Sequence, residues 1–113
     1  AEEAISVLKS EDEEFFNEVN KKLITFDKIV EYDDKLVQKI IRLVDQTTLA
    51  YALKNATQNT SDKIYKNMTA EASKAIMEDM ESLVNISDKS IDEARRKFVK
   101  AMKKALMEEL NNG

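Results

Sequence analysis

Few side chains in this 113-residue sequence could do chemistry, and their types narrow the reactions at once. Histidine and cysteine are both absent, which removes the commonest general base, the commonest zinc ligand, the thiolate nucleophile and the disulfide. What remains is lysines, three tyrosines and the adjacent carboxylates Asp33-Asp34 and Glu78-Asp79. Paired carboxylates can act as general acid and base, and carboxylates can bind a divalent ion. No loop has calcium-site spacing with its turn glycine, because the one glycine is the last residue. Both acid pairs have a simpler use, as a helix cap at residues 33–34 and a solvated helix ridge at residues 78–79. The expectation is therefore no enzyme, no cofactor and no metal.

Helices must place these residues. Proline is absent, and hydrophobic residues make up 42% and charged residues 35%, a mix that supports a packed core under a highly solvated surface. Without helix breakers, and with apolar residues at helical spacing, an all-α chain is expected. Residues 2–9 form a first helix with Ala4, Ile5 and Leu8 on one face. Ser10 with Glu13 is a capping-box pattern that opens a second, carrying Phe15, Val19 and Leu23 at intervals of four. Residues 1–25 read as the end of a preceding helical-repeat unit or as an N-terminal hairpin of the same domain. Leu23-Ile24-Thr25-Phe26 is a short apolar junction that serves either as plain core or as a hinge.

From there a domain over 26–113 is expected. Asp33 and Asp34 offer caps for a helix over 35–44 with Leu36, Val37, Ile40, Ile41 and Val44 as its apolar stripe. Asp45 caps the next, burying Leu49, Ala52 and Leu53. Asn59 or Thr60 caps a short one with Ile64, Tyr65 and Met68 inward, and Thr69 caps a helix over 70–83. Ser87 or Ser90 starts a long C-terminal helix whose buried stripe is Ile91, Ala94, Phe98, Ala101, Met102, Ala105 and Leu106. Short capped helices joined by tight turns describe a right-handed superhelical or armadillo-like array ending in a long helix.

The formal net charge of −4 is unevenly spread. Residues 1–20 hold seven acids and one base, whereas residues 95–104 hold six bases and no acid. Two solvated helix faces explain this, or an electrostatic surface for a charged partner. Nucleic acid is not expected, since no stacking aromatics interleave the basic run and the overall charge is negative. No apolar run reaches the roughly 18 residues that span a bilayer, and no signal peptide is visible. A cytoplasmic protein or fragment is expected. Ala1 in place of an initiator methionine suggests a piece of something longer.

At about 100° per residue the 70–83 helix puts Ala72, Ile76, Met80 and Leu83 on one side. Glu71, Lys74, Glu78 and Ser82 fall on the other as an exposed ridge, with Asp79 on the flank. Glu71–Lys74 and Lys74–Glu78 are spaced to interact, at a few tenths of a kcal/mol each.

Phe26 with Asp33-Asp34, Ala52-Leu53-Lys54, Asn67-Met68 and Glu78-Asp79-Met80 stand in register across residues 26–80. With these landmarks the chain resembles the C-terminal domain of FliG, the rotor protein of the bacterial flagellar motor switch. The resemblance covers most of residues 10–106 and is weakest after Leu83. It implies that 70–83 is the torque helix, facing the cytoplasmic loop of the stator protein MotA, with Lys54, Glu71, Glu78 and Asp79 forming or bordering the stator-facing surface. It also implies contacts with other switch-complex proteins and neighbouring FliG subunits, and a cytoplasmic place peripheral to the inner membrane at the flagellar basal body. The family's Met-Phe-Xaa-Phe stretch, associated with a hinge, falls on Leu23, Ile24, Thr25 and Phe26. An arginine of the family's ridge falls on Glu71, reversing its sign, while the acid pair is kept at Glu78 and Asp79. In the Ala-Leu-Lys-Gly-Ala stretch Lys54 is kept and the glycine is Asn55. A second arginine, after Gly-Pro-Val, falls on Ser87, with Val84 and Asn85 in place of the glycine and proline. A face shifted toward negative implies either a re-tuned stator or a diverged scaffold or regulatory module without the torque role.

Overall fold

A computed structural model of the chain describes residues 24–112. The two helices expected before residue 23, and Leu23 of the junction, lie outside the described residues. What is described is all-α, with no strand among those residues. A 3-10 helix, Phe26–Glu31, leads into α1 (Asp34–Arg42), α2 (Gln46–Leu53), α3 (Gln58–Lys66), α4 (Ala70–Ser82) and the long α5 (Asp88–Asn112).

Each α-helix start is fixed by a local side chain, whereas the 3-10 helix has no side-chain cap at Thr25. Asp33 accepts from the Leu36 amide at 2.8 Å and Asp45 from the Thr48 amide at 2.7 Å. Thr69 accepts from the Ala72 amide and Ser87 from the Ser90 amide, both at 3.1 Å. These caps satisfy donors that a helix leaves unpaired. Ser87 is thus the residue that caps α5, and Ser90 lies in its first turn. The start of α3 differs from expectation: its cap is Thr57, not Asn59 or Thr60. Thr60 is fully buried instead, with its hydroxyl donating to Asp27 Oδ1 at 2.7 Å and tying α3 to the 3-10 helix.

α5 is the spine of the core. Ile91, Ala94, Phe98, Ala101, Met102 and Ala105 are buried as the periodicity predicts, and Leu106 is half-buried. α1 and α2 pack on α5, α4 packs on α2, and α3 packs on the 3-10 helix. The unexpected 3-10 helix buries Phe26 and Ile29, three apart and therefore on one side of it. Two turns need left-handed backbone, and asparagine supplies both: Asn55 at φ 61° and Asn85 at φ 58°. Asparagine is the usual substitute where glycine is not used at a helix C-terminus.

Candidate functional site

α4 is the helix on which the predicted site residues gather. Its position is set from inside by one side chain, Ile76, the only fully buried residue along its length, at 1% exposure. Ala72, Met80 and Leu83, expected on the buried side, are half-covered, so α4 sits at the edge of the fold. The opposite stripe is exposed at Glu71, Lys74, Glu78 and Ser82, and Asp79 is on the half-buried flank, as the wheel predicts. Met77 adds an apolar group to the exposed side, at 47% exposure.

The ridge is acidic. α4 carries four acids (Glu71, Glu78, Asp79, Glu81) against one base, Lys74. Among the described residues Lys74 closes no ion pair with Glu71 or Glu78, so these side chains stand in solvent. Glu71 lies in the first turn, where the helix dipole favours a negative charge. Asp79 is held differently. Gln46 Nε2, from the first turn of α2, donates to its Oδ2 at 2.7 Å. Asp79 also helps to line a cleft of about 240 Å³, with Thr47, Tyr51 and Ser82.

Lys54 does not extend this ridge as a solvated cation. Its ammonium donates to the Met80 carbonyl at 3.3 Å, at the end of α4. α4 has no basic residue in its own last turn, so Lys54 supplies the positive charge the C-terminal end of the dipole favours. The structure therefore brings Lys54 together with Glu78 and Asp79 at one end of α4. Glu71 stands alone near the other end.

At the junction, Ile24 is half-buried, Thr25 is exposed and Phe26 is core. The Phe26 ring meets Phe98 edge-on with centroids 4.9 Å apart, and the Arg95 guanidinium lies 5.3 Å from its centroid. Arg95 also donates to the Ala52 and Lys54 carbonyls, both at 2.9 Å. Reading Arg95 within the basic run 95–104 missed this, because its acceptors stand more than forty positions earlier in the chain. Gln46 was missed likewise, because its acceptor Asp79 stands 33 positions later.

Four titrating groups are perturbed, none of them on the ridge: burial raises the Tyr32 and Tyr65 phenols, and two aspartates are lowered. Asp34 is held below the ordinary carboxylate range by the hydrogen bond from Asn67 and the contact from Lys63. Asp45 is lowered by the Thr48 backbone bond it accepts as a cap. Among the described residues no cluster of acids could hold a metal, and no helix is long and apolar enough to cross a membrane.

Residues 6–109 match the FliG C-terminal domain family. The chain is 37% identical over 100 residues to the flagellar motor switch protein FliG of Borreliella burgdorferi, covering 88% of this chain and 29% of that protein. It is 30% identical over 97 residues to the protein of the same name from Thermotoga maritima, covering 86% of this chain and 29% of that one. The chain thus spans less than a third of the length of these relatives. Full-length FliG from Aquifex aeolicus superposes with a TM-score of 0.75 at 30% identity, over 95% of this chain and 33% of that structure.

Proposed function

This chain belongs to the FliG C-terminal domain family, and from that premise we propose that it is a structural component of the flagellar motor switch whose α4 ridge faces the stator. The observation that carries the proposal is the ridge itself: Glu71, Glu78 and Glu81 exposed on one helix, with Asp79 held at its flank. The partner is the cytoplasmic loop of the stator protein MotA, presenting cationic side chains. The protein works on the cytoplasmic side of the inner membrane at the basal body, beside other switch proteins and neighbouring copies, and uses no cofactor and no catalysis. Residues 26–113 form the stator-facing module, Leu23, Ile24, Thr25 and Phe26 the junction, and residues 1–25 the end of a preceding helical-repeat unit.

The physics of such a face is modest per contact and cumulative in sign. An exposed ion pair contributes roughly 0–1 kcal/mol, but like charges on one face speed the encounter with an opposite surface and disfavour wrong registers. Asp79 is the best-prepared member. Gln46 fixes its orientation, which lowers the entropy a contact must remove, and its Oδ1 remains for a partner cation. Lys54 borders this end with its ammonium turned onto the Met80 carbonyl.

A second reading has its own support: a scaffold or regulatory module with the family fold and no torque role. Glu71 stands where the family has a cation, and Ser87, where the other is expected, is used as the cap of α5. Deleting the gene and watching tethered cells separates the two. Paralysis supports the rotor assignment. Normal rotation overturns it in favour of the scaffold.

A further inference from the structure

Arg95 and Lys54 end two helices in series. Arg95 Nε and Nη2 donate to the carbonyls of Ala52 and Lys54, the last turn and the C-cap of α2. The Lys54 ammonium then donates to the Met80 carbonyl, which also receives the Leu83 amide at 3.1 Å. Neither α2 nor α4 has a basic residue in its own last turn. The negative end of each dipole is therefore met by a cation from another element. The backbone reverses directly after Lys54, through Asn55 at φ 61°. The aim of the Lys54 side chain thus depends on where its carbonyl is held. The guanidinium that holds it also lies against Phe26.

We propose that Arg95 is a positioning residue for α4. By fixing the Lys54 carbonyl it aims the Lys54 ammonium at Met80, and so sets the end of α4 that carries Glu78 and Asp79 relative to the Phe26 junction. The relay is a statement about this fold. Its consequence for a stator rests on the ridge assignment above.

The test is hydrogen exchange at the Leu83 amide, read by NMR in the whole chain, with the Ile40 amide of α1 as the control. R95Q removes the guanidinium, and K54M removes the ammonium while keeping the apolar stem. Losing a charge-assisted bond should speed Leu83 exchange on the order of tenfold in each variant, with little change at Ile40. The double variant should exchange no faster than K54M alone, since both substitutions cut one relay. R95K keeps the charge and should recover part of the protection. Multiplying effects in the double variant, no change at Leu83 in R95Q, or equal acceleration at Ile40 and Leu83 would each overturn the proposal. If R95Q does not fold, R95M, which keeps the apolar stem beside Phe26 and removes both donors, takes its place in the same cycle with the same readings. Motility of ridge variants bears on the stator assignment alone, so the two ideas can fail separately.

Discussion

Truncating Ile76 should detach the ridge from the fold more effectively than removing any charge on it. Ile76 is the single fully buried side chain of α4, at 1% exposure, and α4 packs chiefly on α2. Ile76→Ala deletes three carbon groups, about 0.8 kcal/mol each in lost transfer energy. A partly relaxed cavity raises the total to about 3 kcal/mol, within the usual span of about 2–5. Ile76→Val removes one group and should cost about 1 kcal/mol. The polar ties that help hold α4, Gln46 to Asp79 and Lys54 to Met80, are partly solvated and contribute about 1 kcal/mol each. Urea unfolding gives the global loss, and trypsin cleavage after the exposed Lys74 reports local opening of α4. A loss under about 1 kcal/mol for Ile76→Ala, with Lys74 as resistant as in the parent, would refute the claim that this one residue anchors the helix.

Four further outcomes are expected. Asn55→Ala should destabilise by about 1 kcal/mol, while Asn55→Gly should be neutral or slightly stabilising, because only the first puts a poorly suited residue at φ 61°; thermal unfolding compares them. Thr60→Val should cost about 1–3 kcal/mol in urea unfolding, since it removes a fully buried hydroxyl and leaves Asp27 Oδ1 without that donor and the Thr57 hydroxyl without its acceptor. Asp34 and Asp45 have folded pKa values below their unfolded ones, so their stabilisation is complete above the ordinary carboxylate pKa, about 4. It is lost as pH falls through the lowered folded values, and Asp34→Asn should flatten that acid limb of a stability–pH curve. Glu71→Gln and Glu81→Gln should change stability by no more than about 0.5 kcal/mol in urea unfolding, because both are exposed and neither has an ion-pair partner among the described residues.

The helix starts were legible because aspartate, threonine and serine announce them locally: Asp33, Asp45, Thr69 and Ser87 all cap where the sequence placed a cap. α3 was misplaced because Thr57, Asn59 and Thr60 are all competent caps within four positions. Burial decided among them by turning Thr60 inward toward Asp27. The 3-10 helix was not anticipated, since Phe26 was read within a short junction, core or hinge, and residues 27–32 were given no element; packing on α3 and α5 makes Phe26 and Ile29 core. The ridge itself was legible as far as helical periodicity reaches, which is why Glu71, Glu78 and Asp79 fall where the wheel puts them. Lys54 and Arg95 were not. A cation on a helix surface looks the same in sequence whether it meets water or a carbonyl brought close by the fold. Met80 lies 26 positions from Lys54, and Ala52 lies 43 from Arg95.

The central claim is that the acids at the end of α4 meet a cationic stator surface. Its most direct test is the torque of tethered cells carrying Glu78→Lys with Asp79→Lys, alone and with opposite-sign changes in the cytoplasmic loop of MotA. Helical circular dichroism and unfolding midpoints serve as fold controls. Torque should fall at near-parental stability and be partly restored when the stator charges are reversed. Unchanged torque in the doubly reversed ridge would contradict it.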